Sequence, residues 1–101
     1  MSDKDKGYDI VEMARKSGKI KKGTNEVTKL LERGTAVAVV YASDVNPKEI
    51  VMHLPLLAKE KGIPCFEVAS KEELGAAAGL TKPTASVAIV DAGDAKNLLK
   101  A

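Results

Sequence analysis

Apolar positions along the chain switch between a helical and a strand-like spacing at short intervals. Ile10, Val11 and Ala14 share one side of a helix read over 8–17, with Gly18 as its stop. Residues 19–22 (Lys-Ile-Lys-Lys) suit a short edge strand, where lysines discourage further pairing. Val27, Leu30 and Leu31 then form the buried stripe of a helix over 24–33, which Gly34 ends in the C′ position. The Val-rich run 36–42 shows no polar alternation and predicts a central strand buried on both faces.

The second half continues the alternation. Asn46-Pro47-Lys48-Glu49 marks a helix start: Asn46 caps, Pro47 takes the first helical position and Glu49 completes a capping box. Ile50, Leu54, Leu57, Ala58 and Lys61 fall on one side of that helix, Gly62 closes it, and Pro55 should kink it. Residues 65–68 read as a third strand. Ser70-Lys71-Glu72-Glu73 is a second capping box, opening a short helix that ends near Gly79. A loop over 80–85, punctuated by Pro83, leads to a buried strand over 86–90 and a final helix over 92–100. Four strands with helices between them imply an α/β protein, a three-layer α/β/α sandwich around a four-stranded mixed sheet. No linker or repeat divides residues 1–101, which are read as a single domain with one core.

Charge sharpens this picture. The net charge is only +2, but residues 15–33 hold seven basic side chains against two acidic ones, a local +5. From residue 34 onward seven basic residues face eight acidic ones. A basic patch confined to one third of the chain is an electrostatic footprint for phosphate, although a solvated basic face carries the same charge. The single cysteine, Cys65, allows no internal disulfide and fits a reducing compartment. No apolar run approaches the roughly 20 residues of a membrane span, and the charged N-terminus lacks a signal-peptide core. The expectation is a soluble cytoplasmic protein, monomeric when free.

The most informative stretch is 19–29, where three lysines lead through Gly23 into a helix beginning Thr24-Asn25-Glu26. A helix N-terminus presents unpaired N–H groups and favours anions, and the lysines add to that field. Asn25, Lys29 and Arg33 recur every four residues and form one polar strip, opposite Val27, Leu30 and Leu31. An amide, a carboxylate and an ammonium side by side can read donors and acceptors on a base edge. A capped amphipathic helix with an exposed basic face is the plainer reading of the same residues.

Other chemistry is thinly represented. His53 is the only histidine and reads as a packing or solvent-exposed residue, and with one cysteine no metal cluster is expected. Gly75 and Gly79 flank an alanine-rich helix rather than follow a strand, so they make no dinucleotide fingerprint. Lys21-Lys22-Gly23-Thr24 has phosphate-loop letters in the wrong order, and Asp91-Ala92-Gly93-Asp94 is too short for a calcium loop. With no convergent acid, base or nucleophile, neither catalysis nor a cofactor is expected. Tyr8, Tyr41 and Phe66 are the only aromatics, too few for a sheet that stacks single-stranded bases.

Gly23-Thr24-Asn25-Glu26 within 19–29 resembles the signature of the ribosomal protein L-seven-Ae family in its archaeal form. The resemblance extends over Glu49-Ile50-Val51, His53-Leu54-Pro55, the 70–79 helix and Ala85-Ser86-Val87-Ala88-Ile89. It implies an α/β/α sandwich that binds kink-turns, RNA helices sharply bent at tandem sheared G·A pairs. By the family's pattern Asn25, Glu26 and Lys29 would read the exposed guanine edges. Gly23 and Thr24 would admit the RNA backbone, and Lys22 and Arg33 would hold phosphates. Leu80 would pack on a flipped-out nucleotide. Thr81 and Lys82 stand where many archaeal relatives carry an acidic and then an aliphatic residue, a departure that bears on which kink-turns are preferred.

The same resemblance implies structured RNA partners: ribosomal RNA of the large subunit, box C/D and H/ACA guide RNAs, or RNase P RNA, together with the proteins of those particles. A sister family, ribosomal protein L-thirty-e, shares the fold but usually lacks the Asn-Glu pair. A paralogue of the same fold with another RNA target is the remaining alternative.

Overall fold

A computed structural model describes residues 3–44, 49–91 and 93. In chain order the elements are α1 (Asp3–Ser17), β1 (Lys19–Lys22), α2 (Thr24–Arg33), β2 (Ala38–Ala42), α3 (Glu49–Glu60), β3 (Cys65–Val68), α4 (Lys71–Ala77) and β4 (Ser86–Asp91). Of the helix start predicted at 46–49, residues 46–48 lie outside the described residues, as do all residues of the final helix predicted over 92–100 except Gly93.

The strands form one mixed sheet in the order β1-β4-β2-β3. β4 runs antiparallel to both β1 and β2, and β2 runs parallel to β3. Helices α1 and α4 pack on one face, and α2 and α3 on the other. This is the three-layer α/β/α arrangement the sequence pattern implies. The two inner strands are the most apolar. Val39, Val40, Val87, Ala88 and Ile89 are fully buried, because helices cover both faces of β2 and β4. The lysine-rich β1 is the edge strand expected of it.

Several boundaries and contacts differ from the sequence reading. Helix α1 begins five residues before Tyr8, because its first turn is polar and leaves no apolar period to detect. β2 starts at Ala38 rather than Ala36, and its Tyr41 is only half-buried because the strand's far end is less covered. α3 runs through Pro55 from Glu49 to Glu60, burying Leu54 and Ala58. Lys61, placed on that apolar side, is exposed in the turn after the helix. Met52 and Leu56, one turn apart on α3, are 59% and 70% exposed, so the apolar surface is not confined to the core.

The helix ends follow their capping chemistry. Gly34 adopts φ 71°, and the N–H groups of Gly34 and Thr35 bond the carbonyls of Leu31 and Leu30. At α4 the Ser70 hydroxyl accepts from the Glu73 N–H at 3.3 Å. The reciprocal half of that capping box is replaced: the Ser70 N–H donates to the Tyr8 hydroxyl at 2.9 Å. A side chain from α1 has taken the place of the local glutamate.

Candidate nucleic-acid interface

The interface is built from two turns at one end of the sheet. β1 delivers Lys22 and the chain turns at Gly23 into α2. Gly23 holds φ 94° and ψ 135°, backbone angles that an L side chain resists. A Cβ there would meet nothing within 4 Å, so the position is open toward solvent. Gly23 also supplies no side-chain cap, and its carbonyl accepts from the Val27 N–H at 2.9 Å.

The second turn is the loop from Gly79 to Ala85. The Leu80 N–H bonds the Gly75 carbonyl at 2.9 Å and the Thr84 N–H bonds the Lys71 carbonyl at 3.2 Å. Gly75 is buried in α4, and a Cβ on it would collide with the carbonyl oxygen of Lys82 and approach Pro83 Cα at 3.1 Å. The loop therefore lies directly on the helix at the one point where the helix has no side chain.

A single carbonyl ties the two turns together. Ser86, fully buried at the start of β4, accepts the Gly23 N–H at 3.2 Å and the Thr84 hydroxyl at 3.0 Å. The result is an open groove of about 520 Å³ lined by Lys22, Gly23, Gly79, Leu80, Thr81, Lys82, Pro83 and Thr84. Beside it a hollow of about 460 Å³ is lined by Ile20, Lys21, Lys22, Glu26, Ala78 and Leu80. Lys22 and Leu80 belong to both.

The structure thus brings together Lys22, Gly23, Glu26, Leu80, Thr81 and Lys82, which lie nearly 60 residues apart in the chain. Thr24 opens α2. Asn25, Lys29 and Arg33 line neither groove but stand exposed along α2. At 1.5 Å per residue, Arg33 is about 12 Å beyond Asn25 along the helix axis. The strip leads away from the groove rather than into it. Among the described residues the ion pair found is Lys16 with Glu12 at 3.4 Å on α1, and neither of its members lines the two grooves.

Helix α2 is held from behind as well. Thr28 Oγ1 and His53 Nε2 lie 2.7 Å apart, joining α2 to α3. His53 is therefore a hydrogen-bonded, half-buried connector rather than filler. Sequence reasoning missed this bond, together with Gly75, Thr84, Ser86 and Arg15, whose Nε donates to the Ala77 carbonyl at 3.2 Å. Only the glycine spacing, 75 and 79, left a trace in the sequence.

Perturbed ionisable groups lie elsewhere. Burial pushes the Tyr41 phenol up to about 12, with the charges of Glu67 and Cys65 adding to it. Burial, then Glu67, pushes the Cys65 thiol up to about 12. Tyr8 is raised, mainly by burial. Among the described residues no group of three or more His, Cys, Asp or Glu could hold a metal ion, and no helix is long and apolar enough to cross a membrane.

A solved structure described as the Giardia lamblia 15.5kD RNA binding protein superposes with a TM-score of 0.83 at 34% identity. The match covers 94% of this chain and 79% of that one. The model of the ribosomal protein L7Ae/L30e/S12e/Gadd45 family matches residues 5–99. With the family model matching nearly end to end, the chain belongs to the ribosomal protein L7Ae/L30e/S12e/Gadd45 family.

Proposed function

We propose that this chain is a non-catalytic RNA-binding protein of ribonucleoprotein particles, and that its target is the kink-turn. The observation that carries the proposal is the joint groove, in which Lys22 and Gly23 at the start of α2 face Leu80, Thr81 and Lys82 across one open surface. A bent RNA presents two phosphate backbones and an unstacked internal loop at once, which a two-sided basic groove suits better than a straight duplex does. The likeness to an RNA-binding protein of the same fold supports this reading.

In this reading Glu26 accepts from guanine N–H groups and Lys29 donates to guanine O6, while Asn25 pairs beside them. Gly23 and the N-terminus of α2 admit a phosphate, favoured by the helix dipole and by Lys22. Leu80, half-buried between the two grooves, stacks on an extruded nucleotide, and Lys82 and Arg33 neutralise phosphates. Thr81 sits between them and tunes the loop. The particles are the large ribosomal subunit, box C/D and H/ACA guide particles, or RNase P, which the protein joins from the cytoplasm as a monomer.

The test is a gel-shift titration against a kink-turn RNA and the same RNA with its G·A pairs replaced by Watson–Crick pairs. Tight binding to the first and weak binding to the second is expected. Equal, salt-sensitive binding to both would reduce the chain to a shape-indifferent RNA binder.

A further inference from the structure

Helix α1 lies outside both grooves, yet it grips the short helix that leads into the loop at both ends. Tyr8 exchanges hydrogen bonds with the backbone of Ser70, accepting at 2.9 Å and donating at 3.4 Å. Arg15 donates from Nε to the Ala77 carbonyl at 3.2 Å. Tyr8 and Arg15 are seven residues apart, and so are Ser70 and Ala77. Two helical turns of α1, about 10.5 Å, are thus matched to two turns of α4 running the same way.

The Arg15 grip falls where α4 becomes the loop. Gly79 has φ 77°, and a Cβ built there would lie 2.8 Å from Arg15 Cδ and 3.1 Å from its Nε and Nη1. The arginine therefore occupies the space that a side chain at 79 would need, and it satisfies a carbonyl left open by the helix end. Gly79 itself lines the groove. A lysine would supply a point charge but not the planar fork that covers the glycine while donating from Nε.

We infer that Arg15 is a positioning residue for RNA recognition: it fixes the α4 C-terminus and so sets where Leu80 and Lys82 stand. The inference rests on the RNA-binding reading of the groove. It assigns Arg15 no contact with RNA, which separates it from the phosphate role of Lys82.

The experiment compares wild type, Arg15→Met, Gly79→Ala and Lys82→Ala. Binding to the kink-turn RNA is measured over a range of salt, and amide hydrogen exchange is measured on the free proteins. Arg15→Met should weaken binding about tenfold, the size of one lost charge-assisted hydrogen bond, with the salt slope unchanged. Exchange should quicken at the Leu80 and Thr84 amides and not at Val27 in α2. Gly79→Ala, which sets a methyl 2.8 Å from Arg15 Cδ and also strains the backbone at φ 77°, should weaken binding and quicken exchange at least as much. Lys82→Ala should instead lower the salt slope by about one.

Wild-type affinity and exchange in Arg15→Met would overturn the inference. So would a salt slope reduced by about one, which marks a direct phosphate contact, or exchange quickened throughout α2, which marks general destabilisation. If wild type fails to prefer the kinked RNA, the functional reading falls, and the exchange measurement still decides whether Arg15 holds the loop.

Discussion

The backbone N–H of Gly23 donates to the carbonyl oxygen of Ser86 at 3.2 Å, and the Thr84 hydroxyl reaches the same oxygen at 3.0 Å. The turn that opens α2 and the loop that follows α4 thus hang from one atom of the inner strand β4. Their separation is set by the sheet and not by either segment alone. Thr84→Val keeps the buried shape and removes one of the two bonds. It should cost about 1–2 kcal/mol of stability and weaken RNA binding without touching an exposed residue. Urea unfolding and a gel shift measure the two effects, and unchanged binding would show that the loop holds its place by packing alone.

Gly23→Ala introduces no collision, since the Cβ would meet open space, but it forces an alanine to φ 94°. The strain should cost about 1–3 kcal/mol. The added methyl also faces the groove, so affinity should fall further than stability explains. Thermal unfolding with and without RNA separates the terms.

Asn25→Ala and Glu26→Ala act on exposed side chains and should leave folding intact. Each should cost about 1–3 kcal/mol of binding to a kink-turn. The loss should vanish on the RNA whose G·A pairs have been replaced. If both variants bind the kinked RNA like wild type, α2 does not read the bases.

His53→Ala breaks the 2.7 Å bond to Thr28 and leaves α2 less firmly tied to α3. A loss of about 1–2 kcal/mol in unfolding free energy is expected. Thr28→Val should produce a similar loss, and the double variant should lose less than the two together. Full additivity would mean that the bond contributes nothing.

Alkaline pH should unfold the protein by way of the β2–β3 edge. Tyr41 and Cys65 titrate near 12 when folded, above their unfolded values of 10.0 and 9.0. The fold therefore favours their neutral forms. Their stabilisation is complete below about pH 9 and is lost as pH rises through about 12. The urea midpoint should decline over that window, less steeply in Tyr41→Phe. The same burial makes the native Cys65 thiol a poor nucleophile, so alkylation at neutral pH should be slow until denaturant is added.

Much of the architecture was legible because the patterns are local. The spans of β1, α2 and β3 follow directly from lysine edges, apolar stripes and glycine stops. The polar first turn of α1 has no apolar period, so the sequence pattern places the start of this helix only at Tyr8. Part of the candidate site was equally local: the turn at Gly23 and the exposed strip of Asn25, Lys29 and Arg33 are consequences of one turn and one helix.

By itself, then, the sequence determined the elements, the α/β class and the basic, glycine-led start of α2, since each rests on contacts between near neighbours in the chain. Only the tertiary structure decided that Lys22 and Gly23 share a groove with Leu80 and Lys82. It also decided that Ser86 fastens both turns, that Tyr8 replaces the glutamate in the α4 cap, and that Arg15 interlocks with Gly79. These depend on which strand lies beside which. Hydrophobic periodicity shows that a face is buried and is silent about what buries it.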